Sequence, residues 1–331
     1  MLRRRPVGTV GVMVAVLALV AAGAVQTVRW TSWASFEHRA FATETARHEG
    51  SARTVTWTFP YRGEQRSVRV RVADAYLDAA RRLGTAEVFR YDGPIQAAYV
   101  STLVKAEAGG PFVSDLASEL RRLKVRLGLD GDEYVEMLAR AVQSIPYGTP
   151  EPRIGLPVEV LEDGRGVCTD KSVLLASLLL HEGYGTAVWA FESQRHVAVG
   201  VKGDAGGFRG SGYAFVETTL PSYVNEVSGA YLGVSGTGHA PQLIIIGGER
   251  VYTADAESRY VAERLDALRE FGRQTRPYAA YAAAADERWR PLYAGLAGRG
   301  ETAGELARWI EANSDYRAAV HRALTRSGGE R

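Results

Sequence analysis

The chain has 331 residues, enough for one sizeable domain with additions or two small ones, and its 46% hydrophobic content can build a substantial core. With 40 basic and 38 acidic residues the formal net charge is only +2, and no stretch concentrates the basic excess that a nucleic-acid binder needs. A single cysteine, Cys168, excludes an internal disulfide, so the core alone must hold the fold.

In chain order, Arg3, Arg4 and Arg5 precede an uncharged stretch from Pro6 to Val28. A helix of that length crosses a bilayer core of about 30 Å. The arginines then stay cytoplasmic, which places the rest of the chain outside the membrane. Residues 1–29 are therefore expected to be a transmembrane anchor. The rival reading is a signal segment cleaved near Ala22-Gly23-Ala24, which leaves the chain secreted.

Residues 30–129 are read as an N-terminal region of hairpin and helices. Trp30 to Gly50 has the spacing of a juxtamembrane helix. Thr54–Phe59 and Ser67–Val72 alternate polar and apolar residues, which predicts a β-hairpin with one wet face across a connection holding Pro60 and Gly63. Helical periodicity follows over Asp74–Leu83, Ile95–Ala108, Phe112–Leu127 and Asp132–Ser144.

The segment 130–250 carries the chemistry. A Pro- and Gly-rich loop is expected over residues 150–167, and it closes on Gly164-Arg165-Gly166-Val167. A helix from Cys168 to Glu182 then stops at Gly183. It is apolar almost all round, as a helix at the centre of a fold is. Strands are predicted at Thr186–Phe191, His196–Val201 and Tyr213–Thr218, the last two joined by the glycine-rich 203–212. Residues 251–331 read as a helical C-terminal extension in which Tyr278, Tyr281, Trp289 and Trp309 look like packing stripes.

Cys168 lies where a loop gives way to a helix, a position with unpaired backbone N–H groups and a positive dipole end, both favourable to thiolate. Asp170 in the same turn opposes this and Lys171 partly offsets it. His196, 28 positions later, supplies a base. On its strand Val197, Val199 and Val201 face one way while His196, Ala198 and Gly200 face the other, and the small neighbours leave room for a helix end. If the next strand pairs antiparallel with matched faces, Glu217 can orient the imidazole, giving nucleophile, base and orienting acid.

Two other chemistries fail on spacing. His181-Glu182 lacks the second histidine of a zinc-protease helix, and His38, His48, His239 and His321 form no ligand cluster, so neither metal nor cofactor is expected. Gly164-Arg165-Gly166 lacks the Lys-Ser/Thr of a phosphate loop.

The segment Gly164–Ser172 with Leu174–Leu180 resembles the cysteine motif of the transglutaminase-like superfamily. His196–Val201 resembles its histidine strand, and Val216-Glu217-Thr218-Thr219 the strand that usually carries Asp-Pro-Thr. Val142–Tyr147 and Pro157–Leu161 are similar to stretches of microbial members. The likeness spans about residues 130–225.

It implies an α+β fold with a papain-like core, in which a buried helix carrying Cys168 packs on an antiparallel sheet carrying His196 and Glu217. It also implies acyl transfer from an amide through a thioester on Cys168, while a site outside the membrane points to a protein, peptide or cell-envelope amide as substrate. Glutamate replaces the usual aspartate. Gln143 or Tyr147 is a candidate side-chain donor to the oxyanion, and Gln143 could equally cap its own helix. Glu159 and Asp170 are expected to hold the loop around the cysteine. The alternative is a catalytically silent domain kept as an envelope binding or scaffolding module.

Overall fold

The computed structural model describes residues 51–83, 85, 88–90, 93–227, 240–272 and 317–326. The expected membrane segment, the juxtamembrane helix and the aromatic stripes at Tyr278–Tyr281, Trp289 and Trp309 lie outside the described residues. Among the described residues no helix is long and apolar enough to cross a membrane.

Strands β1 (Ala52–Tyr61) and β2 (Glu64–Ala73) form an antiparallel hairpin in simple register, Val55 facing Val70 and Trp57 facing Val68. Val55, Trp57, Phe59, Val68, Val70 and Val72 are buried, whereas Thr54, Thr56, Thr58, Ser67, Arg69 and Arg71 face solvent. The connection is tighter than expected: Pro60 belongs to β1 and pairs with Gln65, and only Arg62 and Gly63 make the turn. Both have positive φ, 53° and 71°, as a two-residue turn that follows the twist of its strands requires.

Helices α1 (Asp74–Arg82), α2 (Gly93–Ala108), α3 (Pro111–Leu127) and α4 (Gly131–Gln143) follow. Their ends match local chemistry. Pro111 opens α3, and Gly128 closes it in the left-handed conformation. Asp130 caps α4 by accepting from the Glu133 amide at 2.8 Å, while the Glu133 carboxylate accepts from the Asp130 amide.

The loop expected over 150–167 contains a helix, α5 (Pro157–Asp163), whose Val158, Val160 and Leu161 are buried. Pro157 opens it, the Glu159 carboxylate accepts from the Leu156 amide at 2.9 Å, and Gly164 closes it with φ of 64°. Proline and glycine mark the two ends of this short helix, and both were read as loop markers.

Helix α6 (Cys168–His181) is central. It packs among α2, α3, α4 and α5 and against the second sheet. Leu174, Leu175, Leu178 and Leu179 have no exposed surface, and each contributes about 2 kcal/mol of burial. One cluster of buried apolar side chains runs from Val55 to Ala254, so the hairpin and the first helices share an interior with segment 130–250.

The second sheet comprises β3 (Thr186–Phe191), β4 (His196–Lys202), β5 (Tyr213–Val216) and β6 (Gln242–Gly247), in the order β5-β4-β3-β6 with every pair antiparallel. With helices and two antiparallel sheets the fold is α+β.

Both faces of this sheet are covered. Val188, Val197, Val199, Val201, Val216, Ile244 and Ile246 join the main core, where Ser172 of α6 donates to the Val197 carbonyl at 3.1 Å. Trp189, Phe191, Ala198 and Phe215 form a second cluster on the other face. The small residues beside His196 therefore serve a different purpose from the one expected. Helix α6 packs on the valine face, and the small residues make room for aromatic rings: a Cβ on Gly200 would lie 3.2 Å from Trp189 Nε1.

The glycine-rich segment between β4 and β5 is fastened from behind. The buried Asp255 carboxylate accepts from the amides of Ala205 and Gly207 at 3.1 Å each and from Asn225 Nδ2 at 2.6 Å. Gly207 has φ of 63°, and a Cβ there would fall 2.2 Å from the Tyr213 nitrogen. Asp255 begins α7 (Asp255–Gly272). The last described helix, α8 (Arg317–Arg326), is anchored by Arg317, which pairs with Glu136 of α4 and Glu257 of α7.

Candidate active site

Helix α6 begins after Val167, whose backbone is extended, and its first internal hydrogen bond runs from the Lys171 amide to the Val167 carbonyl at 3.0 Å. The amides of Cys168, Thr169 and Asp170 precede that bond and have no acceptor within the helix. Asp170 turns back over the start of the helix, where its carboxylate accepts from the Val167 amide at 3.0 Å and the Gly155 amide at 2.9 Å. Burial raises its pKa, against these hydrogen bonds.

Glu159 is buried and takes both arms of Arg153, at 2.7 and 3.0 Å. The two carboxylates thus pin the segment from Arg153 to Val167 that leads to the cysteine. A backbone bridge between Tyr147 and Gly166 holds the other side of that segment.

Cys168 is 6% exposed, and its Sγ donates to the Arg195 carbonyl oxygen at 3.8 Å. That carbonyl follows a tight 3₁₀ turn, Glu192–Gln194, and Arg195 itself is left-handed with φ of 47°. The next residue is His196, which opens β4. The register of β4 with β5 sets Gly200 opposite Phe215, so His196 and Glu217 emerge on the same face of the sheet.

His196 Nε2 lies 2.9 Å from Glu217 Oε2, and both side chains are buried. With the acid on Nε2, Nδ1 is the ring nitrogen left for a thiol. The Phe191 ring packs beside the imidazole, 5.9 Å between centroids.

The electrostatics favour an imidazolium. Burial pulls His196 toward neutrality, but hydrogen bonds to Cys168 and Glu217 outweigh it and raise its pKa from 6.5 to about 9. Burial alone would raise Glu217. The His196 cation and the Thr219 donors instead hold it below the ordinary carboxylate value.

The two oxyanion candidates sit differently. Gln143 is buried, and its amide group is fully committed. Nε2 donates to the carbonyls of Glu217 and Ser222, both at 2.9 Å, and Oε1 accepts from the Ser222 amide at 3.1 Å. It fastens the segment after β5 to the end of α4 and has no hydrogen left for an oxyanion. Tyr147 is 56% exposed, on the loop beside Gly166.

Lys171 also departs from expectation. It has no exposed surface, and its ammonium donates to the carbonyls of Gln143 and Ile145 at 3.2 and 2.7 Å. Instead of offsetting Asp170 it closes the carboxyl end of α4, and burial lowers its pKa to about 8.

Ser172, Thr218 and Thr219 were not singled out from the sequence. Ser172 and Thr218 exchange a hydrogen bond at 3.1 Å that links α6 to the segment after β5. The one available signal was two adjacent threonines directly after the glutamate.

Among the described residues, no group of three or more His, Cys, Asp or Glu side chains could hold a metal ion. No family profile matches the chain, and no curated protein or solved structure matches it either.

Proposed function

We propose that the chain is a transglutaminase-like cysteine enzyme that acts on amide bonds, with Cys168 as nucleophile, His196 as base and Glu217 as orienting acid on a papain-like core. The observation that carries this reading is the buried 2.9 Å pair of His196 Nε2 and Glu217 Oε2, set against the first turn of the helix that bears the lone cysteine.

The reaction begins with the Cys168 proton resting on His196. The thiolate forms a bond to the amide carbonyl carbon, and the carbonyl electrons move to oxygen. The Cys168 amide, without an acceptor inside the helix, is placed to meet that charge. The C–N bond then breaks, His196 gives its proton to the departing amine, and a thioester remains on Cys168. Water resolves it in a peptidase or amidase, and an amine resolves it in an acyltransferase. In either case His196 takes the proton of the incoming group.

Residues 6–28 are read as an anchor that holds this site outside the membrane, with a protein or peptide as substrate. One observation favours a catalytically silent binding module instead: Cys168 is only 6% exposed.

Two measurements separate the readings. Iodoacetamide should alkylate Cys168 faster than an ordinary thiol at neutral pH, and His196→Ala should abolish the difference. A screen of peptide substrates with and without amine donors should give turnover that disappears in Cys168→Ala and falls about a hundredfold or more in His196→Ala. Alkylation indifferent to His196, together with no Cys168-dependent turnover, would establish the silent module.

A further inference from the structure

Glutamate has one more rotatable bond than aspartate, and a carboxylate on that longer arm can swing away from the imidazole it is meant to orient. Here it is restrained. Glu217 Oε1 accepts from the Thr218 amide at 2.9 Å, the Thr219 amide at 2.8 Å and the Thr219 hydroxyl at 2.7 Å. Oε2 is left to His196. The arm folds back on the two residues that follow it, closing a compact ring of the kind that Asx turns make. β5 ends at Val216, the residue before the clamped glutamate.

Thr219 supplies two of the three donors, including the one from a side chain. Thr218 cannot share that task, since its hydroxyl faces Ser172 at 3.1 Å.

We propose that Thr219 is a positioning residue for the acid, clamping Glu217 Oε1 so that Oε2 stays on His196. The proposal rests on the reading of Glu217 as the orienting acid. The side-chain bond of Thr219 goes to the acid.

Thr219→Val keeps the shape of the side chain and removes one donor, while Thr219→Ser keeps the donor. The test uses the full-length protein and two readouts. One is the rate of Cys168 alkylation at pH 7, and the other is the titration of the His196 ring followed by NMR of labelled histidine.

Thr219→Val should slow alkylation about fivefold, the factor that one hydrogen bond is worth, and should move the His196 midpoint downward. Thr219→Ser should restore both. In a Glu217→Ala background Thr219→Val should have no further effect, because there is no side-chain oxygen left to clamp.

An unchanged or upward-moving His196 midpoint in Thr219→Val overturns the proposal, and so does a serine variant as impaired as the valine one. Thr219→Ala, compared with Thr219→Ser at matched melting temperature, repeats the comparison should valine disturb folding. The His196 titration needs no substrate. A chain without turnover therefore refutes the enzyme reading while still reporting on the clamp.

Discussion

The two sheets of this protein obey different rules. The hairpin β1–β2 buries one face against α3, α4 and α5 and leaves the other to water. Its outward side chains stay exposed even where they pair, as Thr58 does with Ser67 and Arg53 with Asp74 and Glu162. The four-stranded sheet is covered on both faces, by the valine-lined core on one side and the aromatic cluster on the other. Water is kept from most of its polar side chains, so a hydrogen bond there has to come from within the protein. His196 of β4 finds one in Glu217 just beyond β5, and Thr218 in Ser172 of the helix packed on the sheet, through bonds of 2.9 and 3.1 Å. One sheet is scaffold. In the other, buried polar groups such as Thr186 and His196 bond inside the protein.

Removing one member of the buried set should have the largest effect on that contrast. Glu217→Ala leaves a buried imidazolium and three donors without their acceptor, and should cost about 4 kcal/mol in denaturant unfolding along with most of the Cys168 reactivity. A variant as stable as the parent would show that burial does not bind these groups together.

Lys171→Met should cost less, about 2 kcal/mol. It strands the Gln143 and Ile145 carbonyls but relieves the burial of a charge. The same measurement by denaturant unfolding checks it.

The pH dependence comes next. His196 titrates at about 9 in the folded chain against 6.5 when free, so the native state holds the extra proton between those values. Its stabilisation is complete below about pH 6.5 and is lost as pH rises toward 9, with a slope of at most about 1.4 kcal/mol per pH unit. Lys171 works in the opposite sense. Its folded pKa of about 8 lies below the ordinary 10.5, so between those values the unfolded chain binds the extra proton and stability rises with pH. His196→Gln should remove the decline between pH 6.5 and 9, and Lys171→Met should remove the recovery above pH 8. Stability curves collected across that range check both signs.

The smallest change belongs to the hairpin. Arg69→Ala, on the wet face opposite Thr56, should shift unfolding by no more than about 0.5 kcal/mol and leave alkylation of Cys168 untouched.

What could be read from the sequence follows the same division. Period-two alternation identified the hairpin because one face is wet, and the helices from Asp74 to Gln143 showed their periodicity for a similar reason. The meeting of His196 and Glu217 was legible because strand parity puts both on one face once their strands are taken to pair antiparallel. The assignments that moved depend on partners far away in the chain. The Gln143 side chain meets Glu217, 74 positions on, and Lys171 folds back 28 positions to the end of α4. No local pattern announces such pairs. Helix α5 was obscured differently, since its proline and glycine read as loop residues until its ends are seen.

The left-handed turn at Arg195 has a consequence for how the site is assembled. It delivers the carbonyl that receives the Cys168 thiol and, one residue later, the imidazole that pairs with Glu217, so β3 and β4 must be joined before either is in place. The thiol meets that carbonyl across 27 positions, and the imidazole meets its acid across 21. Closing loops of this length is a cost that only the assembled sheet repays. A chain still extended therefore holds neither contact, and Cys168 and His196 gain their partners only through folding.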